Sequence, residues 1–209
     1  MTTPAKAWSE MLRGNDRFIA GEPLHPRQDV ERRATVAAGQ EPDVALFGCS
    51  DSRLAAEIIF DKGIGDLFVV RNAGQIISDS VIGSLEYAVA VLKVPLIVVL
   101  GHDECGAVLA AIDSQGPEAP ALPPHITNLI SKIVPAVTRV ATNSGLMHQP
   151  QTVDSHDVGR EHLRDTIAEL LESSELISDA IAAGTLAIVG ANYRLLEGRA
   201  VPDIHVGNL

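Results

Sequence analysis

The stretch Val94–Val108, VPLIVVLGHDECGAV, decides the fold. Its first half, PLIVVL (Pro95–Leu100), is apolar and β-branched without the apolar–polar alternation of a half-exposed strand, so it reads as a strand covered on both faces. Its second half passes through a glycine and two polar residues into ECGAVLAAI, a helical pattern. Three more runs share the strand character: VALF (Val44–Phe47), LFVV (Leu67–Val70) and LAIV (Leu186–Val189). The first leads into the helical pattern RLAAEIIFD and the second into SDSVIGSLEYAVAVLK. Strands alternating with helices predict an α/β fold, with a mostly parallel central β-sheet flanked by helices and joined by right-handed crossovers.

The flanks extend this pattern. The segment MTTPAKAWSEMLRGNDRF spaces Trp8, Met11, Leu12 and Phe18 as an amphipathic helix, an N-terminal helical arm. In GREHLRDTIAELLESSELISDAIAAG an apolar stripe of Leu163, Ile167, Leu170, Leu171, Ile177 and Ile181 breaks near Ser173 and ends at Gly184, a C-cap. LEGRAV reads as a turn into a short edge strand. Ser114–Pro124 and Asn143–Asp157 read as rim loops and not as linkers, so residues 1–209 form a single domain, long enough to bury roughly 70% of its unfolded surface.

Acidic residues outnumber basic ones 27 to 16, and the formal net charge of -11 argues against nucleic acid as a partner. No apolar run approaches the ~20 residues that span a bilayer, and the N-terminus lacks the pattern of a secretory leader, which predicts a soluble cytoplasmic protein without a membrane partner. One disulfide is a poor use of two cysteines in a reducing compartment, where Cys and His together more often mean metal or catalysis.

Functional groups in an open parallel sheet collect beyond the carboxyl ends of its strands. There VALF leads to Cys49, Asp51 and Arg53, and PLIVVL leads to His102 and Cys105. If these strands are neighbours, two thiols and an imidazole converge, a competent ligand set for zinc at ~2.3 Å for sulfur and ~2.0 Å for nitrogen. No fourth Cys or His stands at metal-ligand spacing, which points to an open site or to one that Asp51 closes. Taken singly, the cysteines are equally at home as small core residues and His102 as a loop histidine. Asp51 and Arg53 by themselves read as a loop salt bridge. Beside a metal, Arg53 would hold Asp51 ionised to accept a hydrogen bond from activated water.

CSDSR followed by HDECG resembles the zinc loops CxDxR and HxxC of the β-class carbonic anhydrases. The likeness, greatest to actinobacterial members, runs through AAGQEPDVALFGCSDSR, GDLFVVRNAG, GSLEYAV, VPLIVVLGHDECGAV and LAIVGANYRLLEGRAV, most of the chain. It implies zinc-dependent reversible hydration of CO2 to bicarbonate and a proton. Cys49, His102 and Cys105 would be the Zn2+ ligands and Asp51 and Arg53 a catalytic dyad, with Asp51 joining the metal only in a closed state. Gln40 matches a glutamine that reaches across a dimer interface to the substrate, and Gly106 a glycine whose N–H lies near bound anion. The resemblance further implies a homodimer or homotetramer with N-terminal helices packed on the neighbour. A subgroup of the family carries a regulatory bicarbonate site built on a tryptophan, an arginine and a tyrosine. Arg71 and Tyr193 match, but Leu46 replaces the tryptophan, which argues against that site.

Ile76, Val81, Leu85 and Tyr87 are candidates for part of a CO2 pocket. Among His25, His125, His148, His156, His162 and His205 nothing singles out a proton shuttle. Three other readings compete. Hydrolysis of CS2 or COS by the same metal site is compatible with these motifs. A noncatalytic zinc module would be expected to lack Asp51, Arg53 or Gln40, and a thiol redox role is disfavoured by the absence of a CxxC pair.

Overall fold

The structure is a computed structural model and describes residues 2–209. In chain order the elements are α1 (Pro4–Ala20), α2 (Val30–Val36), β1 (Val44–Cys49), α3 (Ala56–Ile59), β2 (Leu67–Asn72), α4 (Asp79–Ala90), β3 (Leu96–His102) and α5 (Gly106–Asp113). There follow α6 (Pro124–Ser131), α7 (Val134–Asn143), α8 (Ser155–Ser173), α9 (Glu175–Ala182), β4 (Ala187–Arg194) and β5 (Arg199–Val206). The five strands form one sheet in the order β2-β1-β3-β4-β5, parallel except for β5.

Every residue of β1 and β3 is buried, as their unbroken apolar runs require of central strands. The strand period of two sends alternate side chains to opposite faces. Leu46, Val98 and Leu100 join the core beneath α1, α5 and α7, with Met11, Val108 and Val137. Ala45, Phe47, Ile97 and Val99 join the core beneath α4, α8 and α9, with Leu85, Leu163 and Ile177. β2 is only half covered, as an edge strand is. On the other edge Pro202 sits in β5 at a register shift opposite Gly190 and Ala191, where a missing N–H costs no ladder bond.

The helix breaks follow the sequence. Ser174 separates α8 from α9, and its hydroxyl accepts from the Ile177 N–H at 3.3 Å as an N-cap. Gly184 lies beyond α9 with φ +70°, the left-handed conformation that ends helices. α1 docks on its own chain: Ala7 and Met11 are buried, and Asn15 bonds the carbonyls of Ile59 (3.1 Å) and Gly198 (2.8 Å) and the N–H of Ala200 (2.9 Å). Trp8 and Phe18 pack at the margin of the same core.

Three expectations need correction. The first crossover carries only the four-residue α3, because the residues ahead of it are used in a turn that bonds the Leu54 N–H to the Asp51 carbonyl at 3.1 Å. The edge strand is eight residues long and not short, since the shift at Pro202 lets it follow β4 to its end. Asn143–Asp157 is not all loop: it holds a 3-10 turn at Pro150–Thr152 and the start of α8, capped by Asp154, whose carboxylate accepts from the His156 N–H at 2.8 Å.

Candidate metal centre

β1 and β3 are parallel neighbours with Gly48 opposite Leu100, so the loops that leave them emerge side by side. Cys49 ends β1, His102 ends β3, and Cys105 is the N-cap residue of α5. Their donor atoms all lie within 4.8 Å of one another, and all three residues are buried. Both thiols are free.

This donor set fits a metal ion. Two sulfurs bound tetrahedrally to one zinc stand roughly 3.8 Å apart, which the cluster accommodates. The His102 ring donates from Nδ1 to the Asp103 carbonyl at 2.7 Å, which leaves the Nε2 lone pair free. Nε2 is buried without a hydrogen-bond partner, the state of a nitrogen prepared for a ligand outside the protein.

The electrostatics agree. The neighbouring Cys105 thiol pulls the Cys49 thiol down to about 4 against the opposing effect of burial, with His102 and the Gly74 N–H adding to it. Cys105 is pushed up, first by its closeness to Cys49 and then by burial. Burial lowers the His102 pKa, but the closeness and charge of Cys49 outweigh it and raise the ring overall. The protein therefore supports one thiolate by itself, and a divalent cation would supply the charge that ionises the second.

Around the donors, Arg71 donates from Nε to the Cys49 carbonyl (2.9 Å) and from a terminal nitrogen to the Asp51 carbonyl (2.6 Å). Asp51 Oδ1 accepts from the N–H (2.9 Å) and Nε (2.9 Å) of Arg53, and Oδ2 from its terminal nitrogen at 2.7 Å. This forked pairing holds the Asp51 carboxyl well below the usual carboxylate range. The same guanidinium reaches the Glu104 carbonyl at 3.1 Å and so ties the two loops together. Asp51 is not part of the mutually close donor cluster.

Gly106 opens α5, where its N–H has no intrahelical acceptor, and a side chain there would meet no atom within 4 Å. Packing does not demand the glycine. Gln40 is exposed in the loop between α2 and β1, and its side chain makes no hydrogen bond to the site within its own chain. Of the residues singled out in the sequence, the structure thus gathers Cys49, Asp51, Arg53, His102 and Cys105, with Gly106 beginning the helix that Cys105 caps.

Other expectations resolve differently. Val81 and Leu85 are spent in the core beneath α4, and Tyr87, 45% exposed, stands against Phe68 with ring centroids 6.1 Å apart. Only Ile76 of the proposed pocket residues packs against the cluster containing Cys49 and Cys105. Leu46 is buried, and two Arg71 donors bond the Cys49 and Asp51 carbonyls. Gly74 was not foreseen, although RNAG was in view: it has φ +76°, and its N–H donates to Cys49 Sγ at 3.4 Å. A cavity of about 610 Å3 opens at the other end of the sheet beside Val94, Pro95 and Leu186, lined by Lys93 as its one titratable group among the described residues. Its chemistry is bland beside that of the thiol cluster.

Residues 44–200 match the family model described as carbonic anhydrase. The chain is 49% identical over 212 residues to Carbonic anhydrase 2 of Mycobacterium tuberculosis, covering 100% of this chain and 97% of that protein. It is 45% identical over 208 residues to a carbonic anhydrase of Mycolicibacterium smegmatis, again 100% of this chain and 97% of the relative. Among solved structures it resembles the tetrameric β-carbonic anhydrases of Sordaria macrospora, with a TM-score of 0.72 and 27% identity over 96% of this chain and 98% of that one. A β-carbonic anhydrase of Aspergillus fumigatus, 23% identical, shares the fold at a TM-score of 0.72 over 94% of this chain and 90% of that one.

Proposed function

We infer the function from one premise: the chain belongs to the β-class carbonic anhydrase family and is an enzyme, a lyase of the carbonate dehydratase type. We propose that residues 1–209 form one zinc-dependent domain that interconverts CO2 and water with bicarbonate and a proton. The observation that carries this reading is the convergence of Cys49, His102 and Cys105, with the buried Nε2 of His102 lacking any protein partner.

Zinc held by these three residues would supply an acidified water as nucleophile. Asp51, kept ionised by Arg53, accepts the hydrogen bond of that nucleophile and turns a lone pair toward the CO2 carbon. The Arg53-paired geometry supports the open state over one in which Asp51 takes the fourth position. The free N–H of Gly106 receives the oxygen on which negative charge develops. Gln40, exposed in its own chain, serves the substrate of a neighbouring copy in a homodimer or homotetramer. No helix among the described residues is long and apolar enough to cross a membrane, which is compatible with a cytoplasmic enzyme. Two thiolate ligands would cancel the charge of a divalent ion, so activity is predicted to rise only toward alkaline pH, unlike in an all-histidine site.

Metal removal tests the reading. A chelator that strips the protein should abolish stopped-flow CO2 hydration, and zinc should restore it at one ion per chain. Undiminished hydration by metal-free protein would overturn it.

A further inference from the structure

Gly74 makes two hydrogen bonds that point in different directions. Its N–H donates to Cys49 Sγ at 3.4 Å, and its carbonyl accepts from His162 Nε2 at 2.7 Å. His162 lies on α8, is 3% exposed, and keeps a buried Nδ1 with no partner. Gly74 is fixed tightly: at φ +76° only glycine is at ease, and an added Cβ would come 2.8 Å from that of Ala107. Gln75 follows at φ +40°, and its carbonyl accepts from the Thr166 hydroxyl at 3.3 Å. One turn of α8 thus grips two consecutive left-handed residues, the first of which aims its N–H at a ligand sulfur.

A buried imidazole with an orphaned nitrogen is a costly way to hold a loop. Burial lowers the His162 pKa, so the ring is neutral, and the Gly74 carbonyl requires its proton on Nε2. The ring is then a one-directional donor set on a rigid helix.

We propose that His162 is a positioning residue for the metal centre, fixing the Gly74 N–H on Cys49 Sγ and thereby setting the electron density that this sulfur offers the ion. Residues behind the ligands of metal sites commonly change affinity or activity about 10–100-fold. The inference rests on the reading of Cys49, His102 and Cys105 as a metal site.

Cobalt(II) in place of zinc reports on the sulfur through its sulfur-to-cobalt charge-transfer absorption, independently of turnover. An N–H donor lowers the energy of the sulfur electrons, so losing it moves the band to longer wavelength. His162→Leu should shift the band in that direction and speed zinc release to a chelator by about tenfold or more. His162→Gln, whose amide nitrogen can stand near the place of Nε2, should restore both toward the wild type. His162→Asn, polar but too short, should behave as the leucine variant and takes its place if that variant does not fold. Leu163→Ala, a core truncation one residue along, should lower the melting temperature without moving the band.

A wild-type protein that loads cobalt normally, with a band indifferent to His162→Leu and His162→Asn, would overturn this inference alone. A band that moves equally in Leu163→Ala would overturn it too, by reducing the effect to general loosening. A wild-type protein that takes up neither cobalt nor zinc would overturn the functional reading, and this inference with it.

Discussion

The two loops that meet at the donor cluster both make backbone hydrogen bonds and differ in their side-chain braces. The loop after β1, carrying Cys49, Asp51 and Arg53, is braced by charged side chains near the surface: Arg71 on two of its carbonyls and Arg53 on Asp51. The loop after β3, carrying His102 and Cys105, is braced from within. The Asp103 N–H donates to the Tyr193 carbonyl at 3.2 Å, the Leu195 N–H donates to Asp103 Oδ1 at 2.9 Å, and Cys105 caps α5. Surface ion pairs contribute little to folding, whereas buried backbone groups left without partners are costly. Chemistry and stability should therefore separate between the loops.

The sharpest departure from that separation would be the proposed metal, which would draw donors from both loops. His102→Ala should weaken zinc binding by more than about 100-fold, beyond what is usual for residues behind the ligands, and CO2 hydration should fall with zinc content measured by atomic absorption. Retained stoichiometric zinc would show that the ion sits elsewhere. Next in size, Arg53→Ala should lower kcat/KM about 10–100-fold while zinc content and melting temperature stay near those of the wild type. A variant that unfolds early without losing turnover would invert the contrast. On the inner loop, Asp103→Ala should destabilise the protein by about 1–2 kcal/mol in urea, because the part-buried Leu195 N–H loses its acceptor.

The smallest effect is one of pH. His162 has its folded pKa lowered by burial, below the unfolded value near ~6.5, so between the two values the unfolded chain binds more protons. Its contribution to stability is whole above about pH 6.5 and is lost as pH falls toward the folded pKa. Urea unfolding of His162→Gln over that window should show a shallower acid decline than the wild type; parallel declines would assign the acid sensitivity to other groups.

The same contrast separates what the sequence displayed from what it did not. Central strands and the donor cluster were legible because local rules govern them: unbroken apolar runs mark doubly covered strands, and functional groups gather at their carboxyl ends. The break near Ser173, realised at the Ser174 cap, and the stop at Gly184 were legible for a similar reason, since caps are local. The short α3 was not, because RLAA has good helical character but is overridden by a turn built around Asp51. α7 escaped notice because β-branched VPAVTRVATN becomes helical by burying Ala136, Val137, Val140 and Ala141, a tertiary effect. The link from His162 through Gly74 to Cys49 was invisible for a further reason: it joins residues far apart through backbone atoms, which carry no residue-type signal. Asp51 and Arg53 could be paired by spacing alone, but the reach of Arg53 to Glu104 on the other loop depends on the parallel pairing of β1 with β3.

The central claim is that three buried donors hold the ion and Asp51, fixed by Arg53, directs the chemistry beside it. Stopped-flow CO2 hydration by wild type and Asp51→Ala, each at one zinc per chain, tests this most directly. The account predicts that the variant keeps its zinc and loses activity by about 10²–10⁴-fold, the range associated with a positioned proton acceptor. Asp51→Ala hydrating CO2 at the wild-type rate with its zinc in place would contradict it.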